Sequence, residues 1–135
     1  MPDVAQETVD LLFLGLDHAV DSIRDGGPLI TFVITERGGE RDLVRYVDKT
    51  IEGSIANAVE RISASPIGPG DRCVLVYDGF LTMPDGGRFD AIYAEVIDFE
   101  GTVTIMAQRY RPKATLRRFE TIGNPALLPG AKGKL

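Results

Sequence analysis

Apolar residues recur every three or four positions in two parts of the chain, which is the spacing of one face of an α-helix. The first stripe comprises Val9, Leu12, Phe13, Leu16, Val20 and Ile23. The second comprises Ile51, Ile55, Val59 and Ile62. DGGP follows the first stripe and SASPIGPG follows the second, so glycine and proline stop both patterns. We predict two amphipathic helices.

Five further runs are rich in β-branched and aromatic residues, which favours strands. LITFVITE and RDLVRYV flank RGGE and predict a hairpin that turns on Gly38 and Gly39, with Ile34 opposite Leu43. CVLVYDGFLTM, RFDAIYAEVIDF and TVTIMAQRYR follow the second helix, joined by PDGG and by a turn at residues 100–101, and predict a three-strand meander.

This order predicts an α+β fold: a two-layer sandwich of one antiparallel five-stranded sheet with two helices on one face, in the order α-β-β-α-β-β-β. A length of 135 residues suits one domain, placed at residues 1–121. Residues 122–135 contain two prolines and a Gly/Lys-rich end, and predict an irregular, partly disordered tail. The succession of elements resembles that of the roadblock and profilin-like families. No motif accompanies the likeness, so it implies no activity.

The composition limits the kinds of site that the chain can form. One cysteine and one histidine leave no internal disulfide and no thiolate or imidazole cluster for zinc, although a carboxylate site for a hard cation remains open. We predict no cofactor and no metal. The first apolar run is interrupted by Asp10, Asp17 and His18, unlike a signal peptide, so we expect a cytoplasmic protein that does not enter a membrane.

The register of the meander decides which side chains share a face. If PDGG is a four-residue loop, Met83 faces Arg88, and a two-residue turn sets Phe99 opposite Thr102. Both faces are then largely apolar, although only one is covered by helices, and an uncovered apolar face is typical of a contact surface. We predict a homodimer through this outer face; coverage by the tail through Leu127 and Leu128 is the alternative. The predicted dimer contacts are Val76, Phe80, Phe89, Tyr93, Ile97, Met106 and Tyr110.

The same register places two acidic residues, Asp78 and Glu95, diagonally on that outer face. Two close carboxylates have their pKa values pushed apart, as acid/base catalysis or a cation site requires. These residues are the candidates for a hydrolase-like activity. Acids on strands are common, however, and a polar pair inside a dimer contact also fixes its register.

Basic residues concentrate in MAQRYRPKATLRRF, a stretch without an acid. The net charge is −5, and without the basic residues of this stretch 10 basic residues remain against 20 acidic ones. The candidate binding residues are Arg109, Arg111, Lys113, Arg117 and Arg118. Such charge asymmetry favours contact with an acidic partner or a second copy. A small anionic ligand is the second reading and nucleic acid the third, because the acidic remainder repels a polyanion. We therefore expect a non-catalytic binding protein.

Overall fold

The computed structural model describes residues 4–135. The first three residues of the predicted domain lie outside the described residues. The elements are α1 (Gln6–Ile23), β1 (Phe32–Arg37), β2 (Glu40–Arg45), α2 (Ile51–Ala64), β3 (Arg72–Thr82), β4 (Arg88–Asp98), β5 (Val103–Arg111) and β6 (Glu120–Leu127). All strands join one antiparallel sheet in the order β2-β1-β3-β4-β5-β6. The predicted mixed α+β fold with an antiparallel sheet is confirmed, but the sheet has six strands instead of five.

Local sequence signals account for the start of α2 and for the first hairpin. The Thr50 hydroxyl accepts a hydrogen bond from the Gly53 amide at 2.9 Å and so caps α2. The hairpin turns on Gly38 and Gly39, which both have positive φ, and Ile34 pairs with Leu43 as predicted. These features depend on neighbours in sequence, which is why the pattern alone predicts them.

The two helices lie on opposite faces of the sheet, so the prediction of helices on one face is wrong. α1 forms one buried cluster with even-numbered side chains of β3, β4 and β5, among them Val74, Val76 and Ile92. α2 forms another with odd-numbered side chains of β3, including Leu75 and Tyr77. Every position of β3 from 73 to 77 is buried, and a strand that is apolar on both faces needs a cover on each. The result is three layers.

The predicted register of the meander is off by one residue in both hairpins. The Met83 amide donates to the Gly87 carbonyl at 2.7 Å, and the Asp98 amide donates to the Thr102 carbonyl at 3.2 Å. Each connection is therefore a three-residue loop, with a glycine of positive φ as its last residue, Gly86 or Gly101. A shift of one residue moves every side chain of β4 to the other face relative to its neighbours.

The predicted irregular tail is also corrected. Residues 120–127 form β6, which pairs along the outer edge of β5, so the predicted domain boundary falls inside a strand. Pro125 is accepted because β6 is an edge strand and its free side needs no amide donor. Residues 133–135 then reach the α2 side of β4. No helix within residues 4–135 is long and apolar enough to span a membrane.

Candidate functional site

Asp78 and Glu95 lie on opposite faces of the sheet, so the predicted carboxylate pair is not formed. Asp78 pairs with Ile92 and lies on the α1 side, whereas Glu95 pairs with Leu75 and lies on the α2 side. The one-residue error in register caused the wrong pairing, because it assigned β4 to the wrong faces.

Glu95 is fully buried and its carboxylate is hydrogen-bonded by its own chain. The Tyr77 hydroxyl donates to Oε2, the Lys134 amide lies 2.9 Å from both carboxylate oxygens, and the Leu135 amide lies 3.0 Å from Oε1. Burial raises the pKa of Tyr77, and its hydrogen bond to Glu95 raises it further. The group therefore anchors the segment 133–135 and has little capacity left for a ligand.

Asp78 instead faces a cavity of about 290 Å³ between the loop after α1 and the ends of β3, β4 and β5. Asp90 also lines this cavity; it pairs with Phe80 and so lies diagonal to Asp78 on the same face. The Tyr110 hydroxyl donates to Oδ1 of Asp78 at 2.7 Å. Burial raises the pKa of Asp78, the Tyr110 hydrogen bond opposes this, and the charge of Asp90 adds to the rise.

Asp90 is the acidic residue of this cavity that the sequence analysis did not single out. Arg109 lies on the α2 side, with its guanidinium 5.1 Å from the centre of the Phe89 ring. A three-residue loop, Pro84 to Gly86, closed by a hydrogen bond between Met83 and Gly87, would have placed Asp90 beside Asp78. The length of this loop was therefore the sequence feature that could have pointed to Asp90.

The rest of the cavity wall combines a cation, a glycine loop and aromatic rings. Lys113 lines the rim, and its Nζ donates to the Asp25 carbonyl at 3.4 Å. Phe119 stacks on Tyr110 with ring centres 5.5 Å apart. The structure therefore brings together Asp78 and Lys113, which the sequence had assigned to two separate sites. We call this space the Asp78 cavity; residues 26–29 close it on the α1 side.

The five basic residues that were predicted to bind a partner do not lie together on one surface. Arg111 makes an exposed ion pair with Glu120 at 2.6 Å, and Arg109 lies against Phe89. Lys113, Arg117 and Arg118 belong to the loop between β5 and β6, where all three are exposed. Only these three present charge together at one end of the hairpin.

This loop is an ordered extension of the hairpin. Ala114 and Arg117 exchange two backbone hydrogen bonds, of 2.9 and 3.1 Å, around a two-residue turn. Leu116 lies in that turn and is 99% exposed. We call Lys113, Leu116, Arg117 and Arg118 the basic tip.

The residues predicted to form a dimer contact do not share a surface. Val76, Met106 and Tyr110 are buried beneath α1, and Phe80 is 56% exposed further along the same face. The β4 members of the set, Phe89, Tyr93 and Ile97, lie on the α2 side. The homodimer prediction rested on an uncovered apolar face, which followed from placing both helices on one side of the sheet and β4 in the wrong register; oligomeric state itself stays a prediction.

The single cysteine and the single histidine of the chain, Cys73 and His18, both pack against other residues of the fold. Burial raises the pKa of the Cys73 thiol to about 11. The His18 ring packs edge-on against Phe32 with ring centres 5.0 Å apart. Within residues 4–135, no three His, Cys, Asp or Glu side chains are grouped to hold a metal ion. Comparisons with family models, with curated proteins and with solved structures found no match.

Proposed function

We propose that this chain is a non-catalytic binding protein that recognises an acidic, partly apolar surface of a partner protein through the basic tip. The observation that supports this proposal most directly is the exposure of Leu116, which is 99% exposed in a hydrogen-bonded turn among Lys113, Arg117 and Arg118. A single exposed leucine is common on protein surfaces. An exposed leucine among three cations at the end of a hairpin offers both an apolar anchor and charge.

Charge complementarity supports an acidic partner. Arg117 and Arg118 form no ion pair with another residue of the described chain, and the Arg117 guanidinium donates to the Pro112 carbonyl, at 3.3 Å. Their guanidinium groups are therefore available for carboxylates, which they bind through paired hydrogen bonds. Burial of Leu116 in the partner would add about 1.5–3 kcal/mol.

The first test measures binding of a fluorescent peptide of alternating Glu and Leu by anisotropy, at low salt and at about 0.3 M salt. We expect binding that weakens with salt. The double charge reversal Arg117→Glu with Arg118→Glu should weaken it by at least about tenfold, and Leu116→Ser by several-fold. The matched control is Lys49→Glu with Lys132→Glu, which changes the net charge equally at exposed positions elsewhere.

Two outcomes contradict the proposal: the peptide does not bind, or the control pair loses as much affinity as the tip pair. A single-stranded oligonucleotide and inorganic triphosphate serve as competing probes. Binding of either that depends on Arg117 and Arg118 but is unchanged by Leu116→Ser would favour the nucleic-acid or small-anion alternative instead.

A further inference from the structure

We infer that the Asp78 cavity binds a small zwitterionic molecule, whose ammonium group lies between Asp78 and Asp90 and whose anionic group contacts Lys113. The inference does not rest on the proposed function. Lys113 belongs to both sites, but here it acts with Asp78 and Asp90 at the cavity, whereas the proposed function rests on Leu116, Arg117 and Arg118.

The two aspartates present to the Asp78 cavity negative charge that no ion pair of the described chain neutralises. Within residues 4–135, neither Asp78 nor Asp90 forms an ion pair, and the carboxylate of Asp78 is about half buried. Strand pairing sets them diagonally on one face, where their Cβ atoms are separated by roughly 7–8 Å or somewhat less. A cation between the two carboxylates relieves their repulsion and gains charge-assisted hydrogen bonds.

An organic ammonium suits this cavity better than a metal ion. Small hard cations require several oxygen ligands, and the described residues contain no group of three acidic or imidazole side chains. The stacked rings of Tyr110 and Phe119 line the same space, and aromatic faces attract ammonium groups. The volume of about 290 Å³ lies just below the range for small-molecule sites, about 300–1,000 Å³, which suits a small ligand.

Lys113 indicates which chemical group the other end of the ligand carries. Its ammonium lines the cavity rim and is held there by one long hydrogen bond, to the Asp25 carbonyl. A purely cationic ligand would be repelled by this group, whereas a carboxylate or phosphate at the opposite end of the ligand pairs with it. The arrangement of two acids and one base therefore selects a zwitterion over a simple amine.

The experiment follows the amide NMR signals of isotopically labelled full-length protein during titration with γ-aminobutyrate, butylamine and butyrate. We expect γ-aminobutyrate to shift the signals of Gly26, Gly27 and Tyr110 with a dissociation constant of about 1 mM or below, which is reasonable for its size. Butylamine should bind more weakly, and butyrate should give no saturable shift.

Substitutions assign the two ends. Asp78→Asn and Asp90→Asn should each weaken γ-aminobutyrate binding by about tenfold. Lys113→Met should reduce the affinity for γ-aminobutyrate to that for butylamine. Asp17→Asn on the exposed side of α1 makes the same chemical change away from the cavity and should leave binding unchanged.

Three results would overturn the inference. The first is no saturable shift around the cavity with γ-aminobutyrate. The second is unchanged affinity in both aspartate variants with native-like spectra. The third is equal affinity for γ-aminobutyrate and butyrate, which would assign binding to Lys113 alone.

Discussion

Asp78 and Glu95 differ in what satisfies their carboxylates. Glu95 accepts hydrogen bonds from one phenol and two backbone amides, in a fully buried setting. Asp78 accepts one from Tyr110 and faces a cavity. A buried charge is tolerated when its hydrogen-bonding capacity is filled, so Glu95 serves the fold and Asp78 is the acid that remains available.

The raised pKa of Asp78 predicts a pH-dependent effect of Asp78→Asn. Burial raises this pKa above its ordinary value of 3.8, so the folded state holds the proton more tightly than the unfolded state. Ionisation therefore costs stability as the pH rises from about 3.8 through the folded pKa, and the cost is fully present above it. The variant lacks this titration. We therefore expect Asp78→Asn to be more stable, relative to the native protein, at neutral pH than near pH 3.

Urea unfolding at both pH values checks this prediction. Asparagine keeps the acceptor for the Tyr110 hydroxyl, so the comparison isolates the charge. An identical difference between the two proteins at both pH values would show that the Asp78 charge carries no folding penalty.

At the scale of elements, α1 sits close to β3 because position 15 carries no side chain. A Cβ atom at Gly15 would lie 2.9 Å from Cγ2 of Val76 and 3.4 Å from Cγ2 of Val74. Both valines are fully buried, so neither has free space to move into. Gly15 thus sets the distance between the helix and the sheet.

Gly15→Ala is expected to destabilise the fold although alanine is the better helix former. Overpacking costs about 1–3 kcal/mol, and the gain in helix propensity is about 1 kcal/mol. We expect a net loss of up to about 2 kcal/mol in the free energy of unfolding, measured by urea denaturation. A second variant, Gly15→Ala with Val76→Ala, removes the overlapping methyl groups and should give a smaller loss than the sum of the single changes. Unchanged stability of Gly15→Ala would mean that α1 is not held by this contact.

Loop length is the element-scale property that the sequence left undetermined. PDGG closes equally well as a three- or four-residue connection, and the residues at 100–101 do not exclude a turn that includes Phe99. In the first hairpin the two glycines left one solution, and its register was predicted correctly. The assignment of β4 faces, and with it the candidate site, depended on a choice that local chemistry did not make.

At the scale of the whole molecule, the residues after β6 complete the α2 side of the sheet. Leu135, like Ile97 and Tyr93, packs against the second buried cluster, and the amides of Lys134 and Leu135 donate to Glu95. The segment 131–135 therefore covers apolar surface that α2 does not reach and satisfies a buried charge.

A chain lacking residues 131–135 should be less stable and more prone to self-association. Loss of the donors leaves a buried carboxylate partly unsatisfied, at a cost of about 1–3 kcal/mol, and exposes the apolar side chains around Ile97. We expect a lower unfolding midpoint and an apparent mass, from light scattering after size exclusion, that rises with concentration. Gly133→Ala should act in the same direction, because its methyl group would overlap the Glu95 carboxylate.

Lys132→Ala is the control, since that side chain is exposed in the same segment. If the shortened chain kept the same midpoint and mass as the full chain, the segment would have no covering role. A concentration-dependent dimer of the full chain would uphold the homodimer prediction through some other surface.

The sequence by itself determined the two helices, the first hairpin, the three meander strands and the concentration of positive charge, since each depends on periodicity, capping or turn residues within a short stretch. Tertiary structure alone decided that the helices lie on opposite faces, that residues 120–127 add a sixth strand, and that Asp78 meets Asp90 instead of Glu95. The physical reason is that faces and neighbours are set by strand register and by which apolar surfaces remain to be covered, and both are properties of the assembled sheet.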